Sequence, residues 1–210
     1  MERFSSFFLL FRIFLLQYAA AISGTYNLTT SKSLRQLYIY DLTTNETTTI
    51  SLNYTGAHDL CWSPQSNIIL FVIDNSNSTS SVILFSLVTK EYMIAATYPV
   101  SISTLRWAET GTILTFTASV YPGKSLEETR ALDDAKEQDD GAQFMQFDKT
   151  MVYHWDTYIT DKRTHIFYSN VTEDSGNQFL YSINTSCIDI LGSVMADSPT
   201  YPTGLITLFL

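Results

Sequence analysis

His154 and Asp156 stand two residues apart in Met151-Val152-Tyr153-His154-Trp155-Asp156-Thr157-Tyr158-Ile159, and in an extended strand that spacing puts both side chains on one face. An imidazole beside a carboxylate can move a proton or begin a metal site. Zinc needs further ligands, and His58 and His165 are the only other histidines, so the residues support a packed, hydrogen-bonded structural pair. Cys61 and Cys187, the two cysteines, are candidates for one disulfide in an oxidising compartment, with a buried unpaired thiol as the alternative. The acidic stretch from Glu127 through Asp140 lacks the ligand spacing of a calcium loop and reads as a solvated helix face. No Gly-x-Ser-x-Gly occurs in the 210 residues, so the strained turn that exposes an activated serine is missing and no catalytic residue is named. No cofactor is expected.

A repeat sets the elements that position these groups. Residues 36–71 recur at 81–116: Leu60-Cys61-Trp62-Ser63-Pro64 aligns with Leu105-Arg106-Trp107-Ala108-Glu109, and Ile68-Ile69-Leu70-Phe71 with Ile113-Leu114-Thr115-Phe116. A period of forty-five residues is that of a β-propeller blade. Each unit reads as four short strands, expected near 36–42, 47–52, 58–62 and 68–73, then 81–87, 91–96, 103–107 and 112–119. Such a sheet cannot bury both faces alone, so blades must stack, with Trp62 and Trp107 as equivalent, largely buried residues between them. Cys61 falls where the other copy has Arg106, which weakens the disulfide argument.

After Tyr121-Pro122-Gly123 the alternation stops. Ser125 and Glu128 form a capping box, predicting a short helix within 125–145. Strand character returns at 151–159 and, after Thr160-Asp161-Lys162-Arg163, at 164–168, which reads as a hairpin opening a further blade.

The start of the chain is of another kind. Arg3, the apolar run from Phe7 to Leu16 interrupted by Arg12, and Ala19-Ala20-Ala21 read as a signal peptide over 1–23, cleaved after Ala21 or Ser23. An uncleaved anchor is the alternative, but the run is shorter than the roughly 20 residues a membrane span needs. Removing the leader takes Arg3, Arg12 and Glu2 and leaves a net charge of about −10, so nucleic acid is excluded as a partner and no membrane association is expected after cleavage. Secretion gives meaning to six glycosylation sequons, at Asn27, Asn45, Asn53, Asn77, Asn170 and Asn184.

The tryptophan turns, the insertion Ser125-Leu126-Glu127-Glu128-Thr129, the hairpin His154-Trp155-Asp156-Thr157-Tyr158 with Lys162-Arg163-Thr164-His165, and Asp197-Ser198-Pro199-Thr200-Tyr201-Pro202 together resemble the propeller of the prolyl oligopeptidase family. The branch most similar is that of acylaminoacyl peptidases and secreted dipeptidyl-peptidase V enzymes. The resemblance covers roughly residues 35–203. It implies a secreted serine peptidase in which a propeller gates and positions peptide substrates for an α/β-hydrolase domain, the two partners this chain would serve.

On this reading the chain is all-β: a signal peptide at 1–23 and an incomplete N-terminal propeller at 24–210 of about three to four four-stranded blades. Blades are expected near 36–80 and 81–121, an insertion at 122–148 and a further blade at 149–203. The ending Thr203-Gly204 with Leu205 to Leu210 departs from the family pattern, and the chain is expected to be inactive by itself. A non-enzymatic secreted propeller that binds a protein or glycan is the rival.

Overall fold

Alternating apolar residues separated by polar turns produce three successive antiparallel sheets. The structure is a computed structural model that describes residues 17–29, 32–51, 56–64, 67–138, 153–154, 157–158, 160–174, 176, 179 and 181–198. The first sheet comprises β1 (Tyr18–Asn27), β2 (Lys32–Asp41) and β3 (Glu46–Ser51) in that order. The second is a four-stranded meander of β4 (Ala57–Trp62), β5 (Ile68–Asp74), β6 (Ser80–Ser86) and β7 (Tyr92–Tyr98). The third opens with β8 (Ile102–Trp107) and β9 (Ile113–Val120). The chain then passes through helix α1 (Leu126–Glu137) and a two-residue pair, β10 (Tyr153–His154) with β11 (Thr157–Tyr158). It returns as β12 (Arg163–Glu173) and β13 (Tyr181–Asp189), giving the sheet order β13-β12-β9-β8.

All eight strands expected between 36 and 119 are present, and the repeat reaches the backbone. Asn45 and Lys90, forty-five residues apart in equivalent hairpin turns, have φ of 59° and 60°. Asp59 and Thr104, at matching bulges in β4 and β8, have φ of 53° and 57°. After each tryptophan strand the same tight turn closes, Ser63 N–H donating to Ile68 O at 3.0 Å and Ala108 N–H to Ile113 O at 2.9 Å.

The phase of the repeat differs from the expected 36–80 and 81–121. The second sheet spans 57–98, and the third spans 102–189. A constant period has no intrinsic start; the sheet ends where Pro99, which has no N–H, follows Tyr98. The expected further blade at 149–203 is also corrected. β12 pairs with β9 along its length, Arg163 opposite Val120 through Asn170 opposite Ile113, so β12 and β13 complete the third sheet and the insertion lies within it. Of the hairpin expected over 151–168, Tyr153–His154 pairs with Thr157–Tyr158 and Arg163–Asn170 pairs with β9, while residues 151–152, 155–156 and 159 lie outside the described residues.

Residues 18–23, inside the expected leader, lie in β1, where Tyr18 faces Asp41 and Ser23 faces Gln36. Ala20, Ala21 and Ile22 are buried. The small side chains that read as a cleavage site also suit a strand packed beneath another sheet. Residues 1–16 lie outside the described residues.

Two apolar layers hold the sheets together. Between the first and second, Ile22, Leu37 and Ile39 meet Ile69, Phe71, Ile73, Ile83 and Phe85. Between the second and third, Leu70, Val72, Leu84 and Tyr98 meet Trp107, Leu114, Phe116 and Phe167. β5 and β6 are therefore covered on both faces, which explains why Ile68 to Ile73 is a continuous apolar run rather than an alternating one. Within the second layer Phe116 stacks on Phe167 at 5.7 Å, and the buried Tyr98 hydroxyl meets Ser169 Oγ at 3.1 Å.

Helix α1 starts where the capping box placed it. Ser125 Oγ accepts from Glu128 N–H at 3.1 Å, and Glu128 Oε2 accepts from Ser125 N–H at 2.9 Å. Leu126 and Thr129 are its buried residues. Ser125→Ala is expected to cost about 1 kcal/mol in chemical denaturation, because one of the free N-terminal amides loses its acceptor; an unchanged midpoint would dismiss the cap as a stabilising feature.

Candidate functional site

Acid–base catalysis needs an imidazole nitrogen open to a substrate, and in the described histidine side chains both nitrogens face oxygen atoms of the protein. His165, fully buried in β12, has Nδ1 2.8 Å from Asp189 Oδ2 and Nε2 3.0 Å from Val194 O. His58, in β4, has Nδ1 3.2 Å from Asp59 Oδ2 and Nε2 3.3 Å from Asp74 Oδ2. Both rings are thus committed at both nitrogens to oxygen acceptors. His154 opposes Thr157 in the β10–β11 pair, while Trp155 and Asp156 lie outside the described residues, as does any contact of the His154 side chain. Of the imidazole–carboxylate pairs that form, His165–Asp189 and His58–Asp74 were missed in the sequence. Their members are 24 and 16 positions apart, and no local spacing links them.

Cys61 and Cys187 are not joined by the candidate disulfide. Cys61 is buried in the layer between the second and third sheets, and Cys187 packs against that same layer from β13. Burial, reinforced by the charge of Glu127, pushes the Cys187 thiol up to about 11. It is a protonated, unreactive thiol at neutral pH. Among the described residues no group of three or more His, Cys, Asp or Glu could hold a metal ion, and no helix is long and apolar enough to cross a membrane.

The two tryptophans differ. Trp107 is buried, lies edge-on to Tyr181 at 4.6 Å and donates its Nε1–H to Gly111 O at 3.0 Å. Trp62 packs against the first apolar layer but is only partly buried, contrary to the expectation for both. The reason lies in the first sheet, which among the described residues has three strands and ends at β1 beside β4.

Helix α1 ties the sheets together from outside. Arg130 donates to Asn77 O at 2.7 Å in the β5–β6 turn, while Asp133 pairs with Lys162 and accepts from the Tyr121 hydroxyl at 3.2 Å. Four of the six sequon asparagines are exposed: Asn45 and Asn77 in turns, Asn170 on β12 and Asn184 on β13. Asn27 ends β1, and Asn53 lies outside the described residues.

No family model matches the sequence, and no curated protein matches it. Solved structures do. An acylaminoacyl peptidase from Pyrococcus horikoshii superposes with a TM-score of 0.57 at 13% identity, over 89% of this chain and 25% of its own. An acylaminoacyl peptidase in complex with Z-Gly-Gly-Phe-chloromethyl ketone gives 0.54 at 14% identity, over 79% of this chain and 23% of its own. The fold is similar to that of acylaminoacyl peptidases. The β-propeller domain of the Trilobed protease from Pyrococcus furiosus also matches, at 16% identity and a TM-score of 0.42, over 91% of this chain and 59% of its own. The chain spans about a quarter of the length of the two acylaminoacyl peptidases.

Proposed function

We propose that this chain is the N-terminal propeller part of a secreted serine peptidase of the prolyl-oligopeptidase type. Its stacked sheets gate and position peptide substrates for a hydrolase domain carried elsewhere in the same polypeptide. The observation that carries this reading is the similarity of its succession of stacked sheets, over 89% of the chain, to an acylaminoacyl peptidase. The hairpin residues His154-Trp155-Asp156 and the Ser198-Pro199 stretch support it as sequence resemblance. In this reading the N-terminal apolar segment directs secretion and the exposed sequons at Asn45, Asn77, Asn170 and Asn184 carry glycans. The chain contributes no nucleophile, since no serine lies in an elbow motif and both described imidazoles are committed.

The test compares this 210-residue chain with the polypeptide extended through downstream coding sequence. The extended protein is expected to be labelled by a fluorophosphonate at one serine and to release acylated residues or dipeptides from peptides, whereas the shorter chain does neither. A full-length protein with no labelled serine would set the peptidase reading aside in favour of a non-enzymatic secreted binding propeller.

A further inference from the structure

The first sheet begins inside the stretch whose sequence reads as a leader. β1 pairs with β2 from Tyr18 opposite Asp41 to Asn27 opposite Lys32, and Leu42 N–H donates to Gln17 O at 2.7 Å, so the pairing starts one residue earlier still. The two halves of the strand differ. Ala20, Ala21 and Ile22 are buried, whereas Thr25 and Tyr26 at the other end meet solvent. Tyr18, Ala20 and Ile22 are the β1 members of the apolar layer in which Leu37 and Ile39 meet Ile69 and Phe71, and all three precede Gly24.

A cut after Ala21 or Ser23 would therefore take away the half that packs. A cut after Ser23 leaves Gly24 to Asn27 opposite Arg35 to Lys32 and removes every partner from Tyr18 opposite Asp41 to Ser23 opposite Gln36. Much of β2 would become a bare edge, its polar backbone groups on that side unpaired. Leu37 and Ile39, now 0% and 2% exposed, would lose the side chains that cover them.

We propose that residues 17–23 stay in the finished protein as the core-facing half of β1, and that any leader peptide is removed ahead of Gln17. Ala19-Ala20-Ala21 then belongs to the packing of the first sheet and is not the mark of a processing site. The position of the cut rests on the secretion reading; the packing of β1 does not. Leader removal hydrolyses one peptide bond, water supplying the new carboxylate and amine, so the amino terminus of the product records where the cut fell.

Two measurements on the full chain test this. In the first, the protein is expressed in a host with a secretory pathway, purified from the medium or the cells, wherever it is found, and its amino terminus is read by mass spectrometry. The product is expected to contain Gln17 to Ser23. An amino terminus at any residue after Gln17, Ile22 and Gly24 above all, overturns the proposal. Protein that keeps these residues but never leaves the cell supports retention of β1 while setting secretion aside, and neither result alters the fluorophosphonate labelling that tests the peptidase reading. In the second, the chain is made without processing and unfolded in urea. Ile22→Ala is expected to lower the midpoint by about 1 M, since it empties a place in the layer. Tyr26→Ala, at a side chain 58% exposed in the same strand, should leave it unchanged. Should Ile22→Ala not fold, Ile22→Val is expected to shift the midpoint less and in the same direction. An unmoved midpoint in the Ile22 variant overturns the proposal equally.

Discussion

Replacing Trp107 with Ala is expected to lower the unfolding free energy by about 3–5 kcal/mol, the range for removing a large buried aromatic. The indole is 9% exposed, in the same apolar layer as Leu114 and Phe116, and edge-on to Tyr181. Truncation empties that volume and leaves the Gly111 carbonyl without its Nε1–H donor. Trp62→Ala at the equivalent repeat position should cost less, about 1–3 kcal/mol, because part of its ring already meets solvent. Urea denaturation of both variants, with m-values compared to confirm that the transition is unchanged, measures the difference. A loss below about 1 kcal/mol for Trp107→Ala, or a larger loss at Trp62, would contradict the packing described.

His165→Leu is expected to be comparably severe, about 3–5 kcal/mol, for an electrostatic reason. Leucine fills much of the same volume, but it leaves the mostly buried Asp189 carboxylate facing an apolar group and the Val194 carbonyl unpaired. The ring also joins β12 to the segment after β13, where Ile190 N–H reaches Ile166 O at 2.9 Å and Ser198 N–H reaches Thr164 O at 2.7 Å. Adding Asp189→Asn removes the stranded charge while keeping an acceptor for Leu191 N–H. The double variant should recover at least about 1 kcal/mol relative to His165→Leu alone. Strict additivity of the two losses would show that the pair is not coupled.

The tertiary similarity to acylaminoacyl peptidases and the sequence resemblance rest on different observations: one on the course of the backbone, the other on tryptophan turns and the His-Trp-Asp hairpin. They converge on the same fold. At 13% identity the convergence concerns architecture, and the catalytic consequence belongs to the labelling experiment.

What the sequence by itself determined is what a few neighbouring residues decide. Turns and caps close within about six residues, so the tryptophan turns at 60–64 and 105–109 and the Ser125–Glu128 box carry local signatures, and the recurrence of those turns with the apolar runs 68–71 and 113–116 set the blade period. The tertiary structure decided the phase of that period, the assignment of β12 and β13 to the third sheet, the absence of a disulfide between Cys61 and Cys187, and the pairing of His165 with Asp189 and His58 with Asp74. Each depends on which distant strand lies alongside. β9 meets β12 across the whole insertion, and that choice follows from burying Phe116 and Phe167 together beneath the second sheet, a gain that exists only once the layers are stacked.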